Sequence, residues 1–268
     1  NFSVVSASIA GTDDELRLGL EATDYFTLQS IKKQLQCSPE QRALLGSLDP
    51  RQNRVPNSLC LHMIVRFSDG NVLALKNDQS KTWEPGAWAI TAEEQIKDLD
   101  IQSGKPIENH FRRALCEEIF GLTSQSETLE SRWERVSGRV RDMRIASLFV
   151  EETINNFSLL GLCQLEETHQ EFVASSRRLL AEGDYSRDKE GAMYWFTETE
   201  LRRLLVRGSG EAVPLFGGSC YRVVATGLHS TSRYRSYRLL RVLRGSGLEP
   251  LDTCLSNRSC QANESYTV

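Results

Sequence analysis

The spacing of hydrophobic and polar positions changes several times along the chain, and each change marks an element. Residues 1–12 read as a flexible lead. In the next stretch, DELRLGLEATDYFTLQSIKKQLQ, Leu28, Ile31 and Leu35 recur at helical spacing, which predicts an N-terminal helical extension. The turn-rich LDPRQNRVPNS separates it from LCLHMIVRFSDGNVLALK, where two β-rich runs flank Asp69-Gly70, the strongest short hairpin signal in the chain. A sheet therefore begins near Leu59.

From Ile101 to Leu122 the pattern turns helical. Pro106 suits the first helical position, Glu108 lies in the first turn, and Gly121 suits the left-handed position just past the end. Strands are predicted at RIASLFVEE and NFSLLGLCQLEE, the second apolar enough to be buried on both faces. Helices follow at HQEFVASSRRLLAEG and TETELRRLLVRG, the latter opened by Thr197 and Glu200 in capping-box spacing, and a last helix spans about 231–244. Strands alternating with helices predict an α/β/α sandwich around one mixed sheet. The expected organisation is a helical extension over 1–57, an α/β domain over 58–245 that includes the last helix, and a flexible polar tail over 246–268.

Charge narrows the function classes. With 32 basic and 36 acidic residues the net charge is −4, which argues against a chain built as a whole to coat nucleic acid or an anionic membrane. No stretch approaches the roughly 18 apolar residues that span a bilayer, and the N-terminus carries no signal-peptide pattern. The seven cysteines show no C-x-x-C spacing, and Cys60, Cys116 and Cys163 lie in apolar patterns, so a reducing, cytoplasmic setting is expected. The chain starts without Met, and a fused or partner module is part of the expectation. The four histidines are too scattered for a zinc site, and no Walker, G-x-G-x-x-G or G-x-S-x-G pattern occurs.

The helix after Pro106 carries the chemistry. At 100° per residue, Ile107, Phe111, Ala114, Leu115 and Ile119 form one apolar arc, and Glu118 falls inside it. A carboxylate on a core-facing arc needs a partner, because an unpaired buried charge is strongly unfavourable. Glu117 falls on the flank, one turn from Arg113 and near His110, an arrangement in which the guanidinium braces the carboxylate. Two such carboxylates suit a hard divalent cation; the plainer alternative is a snorkelling Glu118 and an ordinary Arg113–Glu117 surface pair. Cys116 falls opposite the arc, beside a carboxylate that disfavours a reactive thiolate.

The run SGKPIENHFRRALCEEIFGL resembles the Nudix box, G-x5-E-x7-R-E-U-x-E-E-x-G-U with U aliphatic. Arg113 matches the arginine, Leu115 the aliphatic position, Glu117 and Glu118 the paired glutamates, and Gly121-Leu122 the ending, with one extra residue inserted. Ala114 stands where the box has its first glutamate, Lys105 where it has the upstream one, and Thr91-Ala92 where paired glycines follow the preceding strand. Around the box, the Asp69-Gly70 hairpin resembles the family's opening strands, Trp88 the aromatic preceding the box, and YWFTETELRRLL the closing strand and helix, so the likeness covers about half of the chain.

The resemblance implies a Mg²⁺ or Mn²⁺ cofactor and hydrolysis of a nucleoside diphosphate linked to another group, with Glu117, Glu118 and Arg113 as catalytic residues. Metal ligands would be Glu117 and Glu118, joined by Glu166 or Glu167 at the end of NFSLLGLCQLEE, or by Glu93 and Glu94, for which a solvated strand end is the stronger expectation. The losses at Ala114, Lys105 and Thr91-Ala92 remove a metal ligand and the close backbone approach to phosphates. They favour a regulatory module that binds a nucleotide or other small phosphorylated ligand through Lys105, Trp88 and His110 without cleaving it. The hydrolase is the alternative. A third class is a nucleic-acid or protein interaction domain using TSRYRSYRLLRVLR, although Tyr237, Leu240 and Leu243 recur there as a packing face would, leaving solvated arginines.

Overall fold

Nine residues from Ser58 to Arg66 alternate between two cores, and this strand organises the molecule. Leu59, Leu61, Met63 and Val65 face one core, Ile64 faces the other, and the strand is buried along nearly all its length. The computed structural model describes residues 2–10, 15–46, 55–77, 85–102, 104–124, 126–151, 156–181, 190–201, 213–214, 220–221 and 232–244. Their elements are β1 Phe2–Ala10, β2 Glu15–Ala22, α1 Tyr25–Cys37, α2 Pro39–Gly46, β3 Ser58–Arg66, β4 Val72–Asn77, β5 Trp88–Ala89, β6 Ala92–Gln95, α3 Asp98–Ile101 and α4 Pro106–Ala114. A π turn, Leu115–Ile119, continues α4; α5 Leu129–Ser137, β7 Val140–Glu151, β8 Asn156–Leu165, α6 His169–Ala181, β9 Glu190–Phe196, β10 Val213–Pro214, β11 Cys220–Tyr221 and α7 Ser232–Arg244 follow.

The main sheet is mixed, in the order β5-β4-β3-β8-β7, with β6 paired to β3 and β9 to β4. β3 and β8 run parallel, and the other pairings are antiparallel. α4 packs on one face and α7 on the other, so the expected α/β/α arrangement is present. The Asp69-Gly70 turn forms as expected, with Gly70 at φ 86° and Asp69 Oδ1 accepting from the Asn71 amide at 3.2 Å. Beyond Arg66 and Val72 the two strands separate, and the chain from β5 to β6 crosses the gap from β4 to β3. Thr91 sits at the crossing: its hydroxyl accepts from the Val65 amide at 3.0 Å and donates to the Leu73 carbonyl at 2.7 Å. A glycine could not make that bridge.

The N-terminus departs from expectation. Residues 2–10 and 15–22 form an antiparallel hairpin before the helices α1 and α2. Asn57 secures it: its side chain accepts from the Val4 amide and donates to the Val4 carbonyl, each at 2.9 Å, mimicking a strand partner beside the bulge between Val4 and Ser6. The expected tail over 246–268 lies outside the described residues. No described helix is long and apolar enough to cross a membrane.

Candidate functional site

The extra residue between the paired glutamates and Gly121 is taken up by the π turn. Its i→i+5 bonds, such as the Phe120 amide to the Leu115 carbonyl at 2.9 Å, turn the chain by roughly 80° per residue instead of 100°. Leu115, Cys116 and Ile119 therefore share the buried arc, and Glu117 and Glu118 lie together on the half-buried flank. This corrects two expectations: Glu118 is not turned into the core, and Cys116 is. Burial pushes the Cys116 thiol up to about 12, so it is inert for packing reasons.

Arg113 is wholly buried one turn earlier, and its guanidinium is saturated. Nε and Nη2 donate to Asp100 at 2.8 and 2.9 Å, Nη1 to Glu94 at 2.6 Å and Glu117 at 3.1 Å, and Nη2 also to the Gln95 carbonyl at 2.7 Å. Burial opposes its charge, but the bonds to Asp100 and Glu94 hold its pKa above the ordinary value. Asp100 in turn accepts the Lys97 amide at 2.8 Å, capping α3. Arg113 is thus the anchor that ties β6, α3 and the π turn together.

Lys97 completes the cluster. Its ammonium lies 2.8 Å from Glu94 and 3.4 Å from Glu117, while Arg132 of α5 reaches the other oxygen of Glu117 at 3.1 Å. Burial alone would raise the Glu94 pKa, yet Arg113 and Lys97 hold it below its ordinary value. Three cations surround Glu117 and two bear on Glu94. His110, expected to contact a ligand, is buried: Nε2 lies 3.0 Å from the Glu94 carbonyl, and burial pushes its pKa down to about 4. A carbonyl only accepts, so Nε2 carries the proton.

The adjacent Glu93 points to the opposite face, as strand alternation requires. There it pairs with the buried Arg235 of α7 and lies 3.4 Å from His62, whose other ring nitrogen is 2.9 Å from Glu151. The expectation of solvated arginines on α7 fails at Arg235. The expectation of a solvated strand end fails for both Glu93 and Glu94.

The other predicted residues scatter. Lys105 is exposed and pairs with Glu108 at 3.2 Å. Trp88 packs against the α7-side core. Glu166 is exposed, and Glu167 is clamped by Arg139 through bonds of 2.9 Å from Nε and Nη2. Arg113 and Glu117 are brought together with Glu94, Lys97, Asp100 and Arg132, and the last three were not foreseen. Among the described residues no group of three His, Cys, Asp or Glu is arranged to hold a metal ion. The carboxylates as placed do not fit a divalent cation, which needs oxygen ligands free of competing cations.

The chain is similar to several solved structures, Nudix hydrolases among them. DR0079 from Deinococcus radiodurans matches at 14% identity and a TM-score of 0.42, over 90% of this chain and all of that one. The MutT protein from Methanosarcina mazei Go1 matches at 10% identity and 0.34, over 72% of this chain and all of its own. The Nudix hydrolase RenU from M. smegmatis matches at 13% and 0.29, over 72% of this chain and 88% of its own. No family model and no curated protein matches. Likeness at this distance carries no functional argument.

Proposed function

We propose that this domain binds a nucleotide or another small phosphorylated ligand in a regulatory role and does not hydrolyse it. The observation that carries the proposal is Lys97, whose ammonium lies between Glu94 and Glu117, so that Glu117, one of the two expected box ligands, is already paired with a cation of the chain itself. A tethered ammonium competes with a free ion at high effective concentration, and Arg113 and Arg132 add to the competition. Mg²⁺ or Mn²⁺ would have to displace three cations from Glu117. The buried free thiols Cys60, Cys116 and Cys163 support a reducing, cytoplasmic setting. The interaction-domain reading is weakened at Arg235, which is withdrawn from solvent and spent on Glu93.

The test is a panel of nucleoside-diphosphate compounds with Mg²⁺ or Mn²⁺, followed by calorimetry and product analysis. Binding of at least one compound without turnover is expected. Turnover that Glu118→Gln abolishes would overturn the regulatory reading in favour of a hydrolase, and absence of both binding and turnover would remove the nucleotide reading.

A further inference from the structure

A cleft of about 320 Å³ opens on the α7 side of the sheet, where the ends of β3 and β8 run beside the start of β7. Ile64, Leu162, Leu239 and Leu243 give it an apolar floor. Arg66, Arg141 and Arg144 stand around it, and Asp142 is the one acidic residue among those lining it. Asp142 lies 3.7 Å from Arg144 with both side chains more than half exposed, so water screens their attraction. Arg66 donates from Nη1 to Gln164 at 3.2 Å, while its Nε is buried with no partner among the described residues. Arg141 is exposed.

β7 is an edge strand, and exposed charge on an edge prevents strand-to-strand association. That accounts for Arg141 and Arg144 alone. It does not account for Arg66, which comes from the interior strand β3, nor for an apolar floor beneath three guanidiniums. Like charges gathered around low-dielectric walls repel one another and raise the local concentration of anions. Guanidinium forks match phosphate oxygens, and the floor would take a flat apolar body. The volume lies at the lower end of the roughly 300–1,000 Å³ of small-molecule sites.

We propose that this cleft binds a small organic phosphate monoester, with its ring on the Ile64–Leu162–Leu239 floor and its phosphate among Arg66, Arg141 and Arg144. The site is separate from Glu94, Lys97 and Glu117, which belong to the α4 side, and does not rest on the regulatory reading. The probe is 1-naphthyl phosphate, titrated calorimetrically at low salt beside 1-naphthol and inorganic phosphate. The ester is expected to bind about tenfold or more tightly than either fragment, and to weaken as salt rises. The exposed-site double variant Arg141→Gln/Arg144→Gln should lose about tenfold or more in affinity, and Lys97→Met none. Unchanged affinity in the double variant would overturn the proposal, as would naphthol binding as tightly as the ester, or loss of binding in Lys97→Met.

Discussion

Arg113 and Asp100 face each other through two parallel hydrogen bonds, Nε to Oδ1 at 2.8 Å and Nη2 to Oδ2 at 2.9 Å, with neither side chain reached by solvent. A fork-to-fork pair of this kind survives burial because every donor and acceptor has a partner. Removing one member strands the other's charge. Arg113→Met is expected to destabilise the fold by about 3–5 kcal/mol. Arg113→Lys should cost a comparable amount, because an ammonium keeps the charge and loses the fork. Urea midpoints for both variants, with unchanged slopes, check this; a small loss in Arg113→Lys would show that charge alone is what Asp100 requires.

The same pair marks where the sequence stops being informative. Local signals were legible: Asp69-Gly70 makes its hairpin, Gly121 adopts φ 65°, and Thr197 and Glu200 exchange their capping-box bonds. Each depends on neighbours a few residues apart. The partner of Arg113 is thirteen residues away, inside a four-residue helix that lies upstream of the box-like run, where no spacing rule pointed to Asp100. The inserted residue near Gly121 was visible, but its consequence, the rotation of Glu118 out of the core arc and Cys116 into it, depended on the π turn. The N-terminal hairpin was missed because its alternation is broken by a bulge and its docking depends on Asn57, more than fifty positions on.

His110 should make stability pH-dependent. Its folded pKa, about 4, lies below the ordinary 6.5, so between those values the unfolded chain takes up a proton that the folded chain refuses. Stability present above pH 6.5 is therefore lost as the pH falls toward 4, by about 3 kcal/mol. His110→Gln retains a donor for the Glu94 carbonyl and carries no titratable group. Denaturation midpoints across this range should lose that slope in the variant; an identical slope would assign it to other groups.

Gly161 of β8 sets how closely α4 approaches the sheet. A Cβ built there would lie 2.5 Å from one ring carbon of Phe111 and 3.0 Å from a methyl of Leu61, closer than real contacts allow at the ring. Phe111 is buried and cannot swing aside without moving α4. Gly161→Ala is expected to destabilise by about 1–3 kcal/mol, and Phe111→Leu in the same chain to recover part of the loss by making room. Thermal unfolding of the single and double variants tests the geometry, since simple additivity would mean that the two positions do not press on each other.

Lys97 should matter little to stability at neutral pH, and in a way that acid erases. Its side chain is 45% exposed, so its attraction to Glu94 and Glu117 is partly screened, and Lys97→Met should cost roughly 0.2–1 kcal/mol. Burial opposes ionisation of Glu94, but Arg113 and Lys97 hold its folded pKa below the ordinary 4.5. The stability it contributes is thus present above pH 4.5 and lost as pH falls through the folded value. Losing Lys97 raises that folded value, so wild type and Lys97→Met should differ at pH 7 and converge in acid, with the variant's acid midpoint displaced upward. A difference that persists below the acid transition would mean that the aliphatic stem of Lys97 is what the site uses, and the ammonium would then not be the group occupying the space between the two carboxylates.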